Sequence, residues 1–453
     1  MASAYLSLAK STPTNAKKFT VSVWVKKAGV SSSSGYYIID SNGAASGSEC
    51  PVAFDGNQKL RFGEYNSGDV FNFICNAVSR DPSGWMHVVV AGDSTQSTSS
   101  DRIKIYQNGE LQSGTGSYPS QNHDFGLTKG SSSFNIGRWL SGTSRYFDGQ
   151  MAHFHFVDGT TYTPTTFGET DATTGIWKPK TDPGISTSNY GNNGFFLKFD
   201  NSANMGLDSS GNSNNFTTNG TIIQTKDSPS NVFAKINILD NYYNGQASGS
   251  LSVINTKIQT AGSGTETYTL STLGASKGKY YCEMKLVSST AAHQTRFGIA
   301  YAPSNGTADW LGKRAVGWSL RQDGTPTNNN STISGTFASY TAGDIISMAV
   351  DLDNSKLYFR KNNDAWMNSG DPTSGSTGTG AISITAGETY LIGIGDETGG
   401  YSVCELNFGD GYFGTTAVAS AENPDDGNGI FEYDVPAGYR ALCTKSINAE
   451  EYS

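Results

Sequence analysis

The chain has 453 residues and a formal net charge of -9, although only 16% of its residues are charged. Its 54 glycines, 23 tyrosines and 22 phenylalanines exclude a disordered, highly charged chain and indicate a globular protein rich in turns. No basic run is longer than a pair, which excludes an ordinary nucleic-acid-binding surface. The length predicts two domains with connecting segments.

Sorting signals and cysteines suggest where the protein is made. The opening residues lack the charged start and the long apolar stretch of a signal peptide, and no segment approaches the roughly 18 apolar residues of a membrane span. We therefore expect synthesis in a cytosol and no membrane insertion. The five cysteines form no CxxC pair, so neither a zinc site nor a disulfide framework is predicted. A single Cys50–Cys75 bridge stays open.

Residues 1–165 have the pattern of a meander of short strands. Residues 19–27 alternate apolar and polar side chains, which predicts one strand face in a core and the other in solvent. Residues 84–93 form a more apolar run that is typical of a central strand. Asn108-Gly109 lies between two alternating stretches and predicts a tight type I′ hairpin, because that turn needs positive φ at both central residues.

The rest of the chain divides into three parts. Residues 166–245 are irregular and rich in proline, and we expect this connector to pack on the first domain, because so long a structureless linker would be unusual. Residues 246–412 again show alternating runs separated by turns and predict a second sandwich. Residues 413–453 are expected to form a mixed C-terminal tail. The predicted fold class is all-β, with two β-sandwich domains of the jelly-roll, concanavalin A-like type.

Two family resemblances support this division. The first unit carries the motifs FTVSVWVKK, GWMHVVVAGD, IKIYQNGEL and FDGQMAHFHFVDG, and with these it resembles the laminin-G-like, concanavalin A-like domains. The second unit carries GKYYCEMKL, RFGIAYA, GWSL and ELNFGDGYF, and it resembles a SPRY-type sandwich. Both resemblances imply β-sandwiches that bind through their loops.

A third resemblance covers nearly the whole chain. FGETDATTGIWKPK, LDSSGNSNN and VPAGYRALCT, together with the N-terminal strand motif, are similar to proteins of tailed phages, especially marine phages, regarded as tail fibres or other virion components. The resemblance implies a virion protein assembled in the host cytoplasm, with other virion proteins as partners. A homo-oligomer is expected because virion appendages follow closed symmetry.

One departure from the laminin-G-like pattern concerns an apolar strand and an Asp-Ser-Ser-Gly-Asn turn that usually come first. Here the similar segment, residues 195–215, follows the first unit. We predict that residues 195–199 return as the missing strand and cover an unpaired sheet edge. The alternative is that the segment completes a neighbouring subunit.

The sequence argues against catalysis. Jelly-roll glycanases place two or three carboxylates on one strand face. The corresponding strand here, residues 150–156, contains no Asp or Glu. Glu169 and Asp171 alternate, but they lie in the Pro- and Thr-rich connector, where a capped turn is the simpler role. We therefore expect a protein that is not an enzyme.

Aromatic residues near loop ends are the candidate ligand-binding residues, because sugar rings stack on Trp and Tyr faces while nearby polar groups bind hydroxyls. The predicted set is Tyr118, Trp139, Trp310, Trp318, Arg321 and Asp323.

No cofactor is predicted, although calcium is possible where oxygen ligands are dense in loops. These loops contain Asp40 and Asn42, Asp200 and Asn201, Asp208 and Asn212, and Asp351 and Asp353. His153 and His155 are two residues apart on one predicted strand and could share a metal, with packed histidines as the alternative.

Three functions follow from these observations. The first is a tail-fibre or tip component that binds host-surface polysaccharide. The second is a capsid or tail decoration protein that makes only protein contacts. The third is a glycan hydrolase, which the strand without carboxylates disfavours. No coiled coil or β-helical repeat forms a shaft, which favours a compact attached module.

Overall fold

The computed structural model describes residues 4–29, 35–41, 48–130, 132–240, 250–252, 254–260, 266–290, 295–306, 308–397 and 400–451. The chain forms two compact units, Met1–Gln224 and Thr225–Ser453. Both are built almost entirely from antiparallel sheets, as the period-two pattern predicts. In the described residues, helix is limited to short segments, among them α1 (Thr187–Tyr190) and α2 (Thr444–Glu451).

The first unit contains sixteen strands within the described residues. They are β1 (Tyr5–Ala9), β2 (Lys18–Lys27), β3 (Tyr36–Ser41), β4 (Val52–Phe54), β5 (Lys59–Tyr65), β6 (Asp69–Val78), β7 (Met86–Asp93), β8 (Ile103–Gln107), β9 (Glu110–Leu111), β10 (Gly114–Gly116), β11 (Ser133–Ile136), β12 (Gly149–Asp158), β13 (Gly168–Thr170), β14 (Trp177–Pro179), β15 (Phe195–Leu197) and β16 (Thr217–Asn219).

These strands form two large sheets and one small hairpin. The eight-stranded sheet has the order β10-β6-β5-β4-β3-β11-β1-β16, and the six-stranded sheet has the order β15-β12-β2-β7-β8-β9. The Asn108-Gly109 hairpin is confirmed, because Gln107 pairs with Glu110 and both turn residues have positive φ, 48° and 87°. Strands β13 and β14 form the hairpin outside the sheets.

The core of the first unit lies between the inner faces of the two large sheets. Phe19, Val21, Val23 and Val25 of β2 point inward and are at most 1% exposed. They meet aromatic residues of the opposite sheet such as Phe62, whose ring centroid is 5.4 Å from that of Phe19. The alternation predicted for residues 19–27 therefore identifies the face that points to the core. The opposite face is not in solvent as predicted, since Thr20, Ser22 and Trp24 are at most 3% exposed.

Two late strands complete the first unit. Phe195–Leu197 pairs with Phe154–Phe156 at the edge of the six-stranded sheet, and Thr217–Asn219 pairs with β1 at the edge of the other sheet. The returning strand thus lies within the same chain's first sandwich. It is shorter than the predicted residues 195–199.

The first part of the connector covers the outer face of the six-stranded sheet. Phe167 and Tyr190 pack there against Val89, Val157 and Phe196, and all five are at most 6% exposed. This face therefore carries a second apolar layer in addition to the core between the sheets.

The second unit contains a further sixteen strands within the described residues. They are β17 (Ser250–Ser252), β18 (Lys257–Gln259), β19 (Thr267–Ala275), β20 (Lys279–Ser289), β21 (Thr295–Ala300), β22 (Gly317–Arg321), β23 (Pro326–Asn328), β24 (Ser331–Thr332), β25 (Ile345–Asp351), β26 (Lys356–Lys361), β27 (Ile382–Ser383), β28 (Tyr390–Asp396), β29 (Ser402–Asn407), β30 (Tyr412–Phe413), β31 (Thr416–Ala417) and β32 (Arg440–Ala441).

Two large sheets again enclose a core. One has the order β17-β18-β29-β20-β25-β26-β27, with β32 added parallel to β20, and the other has the order β19-β28-β21-β22-β23-β24. Strands β25 and β26 form a long antiparallel pair that ends with Asp351 opposite Lys356. Met284, Phe297, Met348 and Leu406 are among the core residues, each at most 1% exposed.

Two predicted boundaries need correction. The second unit begins at Thr225 and not near residue 246, because Ala234 and Ile236 are buried in its core. The region expected to form a tail is also part of this unit, since Phe431 and Tyr439 are fully buried against the outer face of its larger sheet. Both segments look irregular in sequence because loops rather than long strands bury their apolar residues.

Within the described residues, no helix has the length and apolar character needed to cross a membrane.

Candidate functional site

A groove of about 410 Å³ lies on the outer face of the six-stranded sheet in the first unit. Its walls come from β7, β8, the loop after β7 and residues 161–163. The residues that line it include Ala91, Asp93, Asp101, Lys104, Tyr106 and Tyr162. The volume lies within the range of small-ligand sites in proteins.

Strand periodicity explains why these residues share one face. In β8, Ile103 and Ile105 point into the core and are at most 3% exposed. Lys104 and Tyr106 alternate with them and therefore point to the outer face. The same alternation in the neighbouring strand β7 turns Ala91 outward, so that strand forms the floor of the groove.

Two tyrosines give the groove its apolar surface. Tyr106 and Tyr162 are half-buried and pack against the apolar layer around Val89 and Phe167. The backbone N–H of Tyr162 donates to Thr20 Oγ1 at 2.8 Å, which fixes the segment that carries this ring. Neither tyrosine hydroxyl has a hydrogen-bond partner within the described parts of the chain. A ligand could therefore use both the ring faces and the hydroxyls.

The carboxylate of Asp93 at the groove is held by its own loop. It accepts hydrogen bonds from Thr95 N at 3.1 Å, Thr95 Oγ1 at 2.6 Å and Gln96 Nε2 at 2.8 Å, and Lys18 Nζ is 3.2 Å away. Burial raises the pKa of Asp93, but these donors outweigh burial and hold the pKa below its usual value. Asp93 is therefore ionised at neutral pH.

The second acid at the groove is also paired. Asp101 Oδ1 lies 3.2 Å from Lys104 Nζ, and both side chains are exposed. A glycosidase needs a carboxylic acid that stays protonated near neutral pH, which requires a raised pKa. The pKa of Asp93 is instead lowered. The groove therefore offers charged and polar binding groups, and Asp93 lacks the raised pKa of a general acid.

The neighbouring part of the same sheet face is closed. His155 is 4% exposed, its Nδ1 is 2.9 Å from the Tyr190 hydroxyl, and its ring stacks on Phe196 at 3.8 Å. This is the strand, residues 150–156, on which catalytic carboxylates were sought. The connector covers the strand, and the groove lies beside it, at the part of the face formed by Ala91, Asp93, Lys104 and Tyr106.

A buried serine–histidine pair also lies on this face, but the hydrogen bond between the two residues runs in the wrong direction for catalysis. His87 Nε2 is 2.8 Å from Ser22 Oγ, and Trp177 Nε1 donates to His87 Nδ1 at 3.0 Å. Because Nδ1 accepts, Nε2 carries the proton and donates to the serine. Burial, with a contribution from His153, lowers the pKa of His87 to about 3. This histidine cannot remove a proton from Ser22.

Of the two residues predicted in the first unit, neither lines the groove. Tyr118 is half-buried and packs on Phe73 with ring centroids 5.3 Å apart. Trp139 lies under the guanidinium of Arg145, which is 4.6 Å from the ring centroid. Its Nε1 is buried and has no partner within the described residues. One face of Trp139 is therefore already occupied.

Arg145 belongs to a charged cluster on the outer face of the eight-stranded sheet. Tyr37 Oη accepts from Arg145 at 2.6 Å and from Arg61 at 2.7 Å, and donates to Glu49 at 3.1 Å. Burial raises the pKa of Tyr37 to about 12, so the hydroxyl keeps its proton. Two arginines against one carboxylate leave this cluster with a net positive charge.

In the second unit, the structure corrects the predicted roles of two tryptophans. Trp318 is 5% exposed and lies in the core, near Tyr390 with ring centroids 5.8 Å apart. Trp310 is 7% exposed and covers Arg296, whose guanidinium carbon is 3.8 Å from the ring centroid. Neither ring offers a free face to a sugar.

The structure does bring Arg321 and Asp323 together. Arg321 Nη2 donates to Asp323 at 2.6 Å, and Arg321 Nη1 donates to Glu397 at 3.1 Å. Glu397 also pairs with the buried Arg296 at 2.9 Å, which links this network to Trp310. Strand alternation in β22 explains why Trp318 and Arg321 lie on different faces of the sheet, since Trp318 points to the core and Arg321 points outward.

The metal hypotheses find no support in geometry. Within the described ranges, no three His, Cys, Asp or Glu residues are placed to hold a metal ion. A bulge between Ala152 and His155 breaks the regular alternation expected for the two histidines. All five cysteines are buried and free, so the Cys50–Cys75 bridge is not formed.

In two of the loops considered for calcium, the carboxylate accepts hydrogen bonds from the backbone of the chain itself. Asp40 accepts from the backbone N–H groups of Cys50 and Leu140 at 3.0 and 2.9 Å. Asp208 accepts from Phe196 N at 2.9 Å and Ser210 N at 2.8 Å. Asn42 lies outside the described residues.

Sequence reasoning missed Tyr106 and Tyr162. Tyr106 could have been found from alternation, because it shares with Lys104 the face opposite Ile103 and Ile105. Tyr162 had no such signal, since it lies in an irregular segment whose position depends on long-range packing. Three of the predicted ligand-binding residues are tryptophans with other roles: Trp318 lies in the core, and Trp139 and Trp310 each stack with an arginine.

The first unit can be matched to a known family. Residues 1–166 match the model of the concanavalin A-like lectin/glucanases superfamily, Laminin_G_3. The first unit contains a concanavalin A-like domain. The match ends before β15 and β16, the two strands that complete the large sheets of the first unit. No curated protein matches the chain.

Solved structures with SPRY domains are among those similar to the chain. The SPRY domain of human HERC1 is 21% identical over 33% of this chain and 87% of that one, with a TM-score of 0.27. The PSpry domain of TRIM65 is 14% identical over 38% of this chain and 91% of that one, also at 0.27. Stonustoxin is 16% identical over 38% of this chain and 27% of its own, at 0.29.

Proposed function

We propose that this chain is a lectin-like component of a tailed-phage particle that binds a host-surface glycan without cleaving it. The observation that carries the binding proposal is the groove with Tyr106 and Tyr162. It combines two aromatic rings with a cation, two carboxylates and hydroxyl groups on one rigid sheet face. The concanavalin A-like domain that holds the groove supports the same class of ligand.

The groove's chemistry favours binding over hydrolysis. Asp93 is ionised and its oxygens already accept hydrogen bonds from Thr95 and Gln96. A bound sugar would meet acceptors and a lysine, whereas hydrolysis also requires a carboxylic acid that can donate a proton. Reducing ends released from host polysaccharide by the purified protein, and not by the Asp93→Asn variant, would overturn this part of the proposal.

The binding test uses a glycan array of bacterial surface polysaccharides. We expect Tyr106→Ala and Tyr162→Ala each to weaken binding to the glycan found by roughly tenfold or more, since an aromatic platform contributes on the order of 1.5 kcal/mol. Tyr106→Phe, which keeps the ring, should retain most of the affinity. Tyr118→Ala is the matched control because Tyr118 is a half-buried tyrosine outside the groove. Equal binding by all four variants would contradict the proposal.

The virion assignment rests on the resemblance to tailed-phage proteins that covers nearly the whole chain. We expect the protein to be a homo-oligomer attached to other virion proteins, as the closed symmetry of such appendages requires. Immunogold labelling or cryo-EM of purified particles would locate it on the tail or the head. Its absence from particles would refute the assignment while leaving glycan binding to be judged by the array.

A further inference from the structure

Three charged residues are buried together beneath the first segment of the second unit. Lys235, Asp227 and Asp410 are 1%, 5% and 4% exposed. Lys235 Nζ is in direct contact with Asp410 Oδ2, and it lies 3.9 Å from Asp227 Oδ2. The cluster belongs to a different unit from the tyrosine groove, so it is independent of the proposed glycan site.

Backbone hydrogen bonds on both sides fix the position of Lys235. Its N–H donates to Thr272 Oγ1 at 3.1 Å, and its carbonyl accepts from Thr272 N at 2.7 Å. Asp227 is held as well, because its Oδ1 accepts from Phe233 N at 3.4 Å. The amine and the neighbouring carboxyl therefore lie on ordered backbone.

The turn that carries Asp410 is equally ordered. Asn407 Oδ1 accepts from Gly409 N at 2.9 Å and from Gly411 N at 3.2 Å, so one side chain shapes the whole turn. Ile430 N then donates to the carbonyl of Gly409 at 2.9 Å. Preorganisation of this kind holds reacting groups together and lowers the entropic barrier to a reaction between them.

A simple salt bridge leaves this cluster poorly satisfied. Asp410 Oδ1 is buried and has no hydrogen-bond partner within the described residues. Burial generally favours the neutral forms of amines and carboxylic acids. A neutral amine in contact with a neutral carboxylic acid is the reactant pair for amide formation.

We infer that Lys235 and Asp410 become joined by an isopeptide bond that the folded chain forms on itself. Lys235 Nζ attacks the carboxyl carbon of protonated Asp410, and a C–N bond forms. Asp227 accepts a proton from the nitrogen and returns it to the departing hydroxyl. One C–O bond breaks and one water molecule leaves, so the step needs no oxidant or other reactant. The ion pair is replaced by a neutral amide.

The bond would lock the second unit. The two residues are 175 positions apart, so the link joins the start of the unit to the turn that follows β29. A covalent link between such distant segments prevents the unit from being fully extended when its ends are pulled. It also restricts the unfolded chain, which raises the melting temperature.

The test is the intact mass of the purified full chain under denaturing conditions. We expect a mass lower than that of the sequence by one water molecule. Tryptic digestion should then yield a branched peptide linking Lys235 to Asp410, without cleavage after Lys235. A folded wild-type protein that keeps the full sequence mass after prolonged incubation would overturn the proposal.

Variants identify the atoms involved. Lys235→Arg keeps the positive charge, and we expect it to show the full sequence mass and a midpoint of unfolding lower by on the order of 10 °C. Asp410→Asn should form the same amide but release ammonia, giving a final mass identical to that of the cross-linked wild type. Asp227→Asn should form the link more slowly. Formation at the wild-type rate in that variant would overturn the role of Asp227.

A second lysine–carboxylate pair in the same unit serves as the matched control. Lys257 Nζ lies 2.8 Å from Glu405 Oε1, but this lysine is 35% exposed. Water competes for both groups there, so we expect no amide. Lys257→Arg should therefore retain the mass deficit of the wild type. If the deficit disappears in this variant and persists in Lys235→Arg, the bond has been assigned to the wrong lysine.

Discussion

Replacing Phe195 by alanine should lower the free energy of unfolding of the first unit by about 3–5 kcal/mol. Phe195 is fully buried in the returning strand β15. Its ring centroid lies 4.7 Å from that of Phe216 and 5.7 Å from those of Phe134, Phe154 and Phe156. Truncation removes four aromatic contacts and leaves a cavity that neighbouring strands cannot close without moving.

The measurement is denaturant or calorimetric unfolding in which the two units' transitions are resolved. Phe195→Leu should be tolerated better, because it preserves most of the apolar volume. Ile176→Ala is a suitable control since Ile176 is 63% exposed, and we expect a change within about 0.5 kcal/mol. A loss below about 1 kcal/mol for Phe195→Ala would show that β15 does not contribute to the core.

Replacing Asp396 by asparagine should stabilise the second unit above neutral pH. Burial raises the pKa of this carboxyl from 3.8 to about 8, and the hydroxyl of Thr260 offsets only part of the effect. Within the described residues, no backbone N–H donates to it. Burial also raises the pKa of Glu283, but only from 4.5 to about 7, because its carboxylate accepts from Glu432 N at 2.9 Å and Tyr433 N at 3.0 Å. Ionised Asp396 therefore lacks the backbone donors that stabilise Glu283.

The pH dependence follows from the raised pKa of Asp396. The folded state binds the proton more tightly than the unfolded state, so this residue's contribution is fully favourable below a pH near 3.8. The contribution decreases as the pH rises, by at most ~1.4 kcal/mol per pH unit, until the pH passes about 8. The stability difference between Asp396→Asn and the wild type should therefore grow across this window and then level off.

Asp371 provides a control of opposite sign in the same unit. Hydrogen bonds from the Thr373 hydroxyl and backbone lower the pKa of Asp371, so its ionised form stabilises the fold. Asp371→Asn should lose a little stability at neutral pH, and the loss should disappear in acid. A pH-independent difference between Asp396→Asn and the wild type would contradict the raised pKa.

The sequence was sufficient to predict the sheets, because period-two alternation is a local property. Residues 19–27 and the Asn108-Gly109 turn form as expected, since the side-chain pattern and the turn chemistry act within a few residues. The strand that returns at Phe195 was predicted from a displaced motif. Its length was overestimated, because Phe199 adopts a positive φ of 60° and ends the extended run.

The binding residues were harder to predict because each sheet face can be covered by a distant segment. Alternation separates Trp318 from Arg321, but it does not reveal that the core side holds the tryptophan. Trp310 looked like an exposed loop residue, yet it covers the buried Arg296. In the first unit, the connector buries one half of a sheet face and leaves the other half as the groove. Such coverage depends on long-range packing that single-sequence patterns do not encode.

The predicted domain boundaries were wrong for a related reason. Residues 225–240 and 413–451 contain few long alternating runs, so they resembled a linker and a tail. Their apolar residues, such as Phe233 and Tyr439, are nonetheless fully buried on the outer face of a sheet. Short bridges replace strands there, as in the pairing of Phe233 with Cys443.

The pairing of Tyr5 with Asn219 has a consequence for synthesis on the ribosome. Strand β1 receives its last edge partner only after more than two hundred further residues have been translated. Until then, one side of β1 and the free side of β12 present unpaired backbone groups to any other nascent chain. A fragment ending where the family match ends, at residue 166, would keep both edges open. Such a fragment should aggregate, whereas one extended to residue 224 should remain monodisperse.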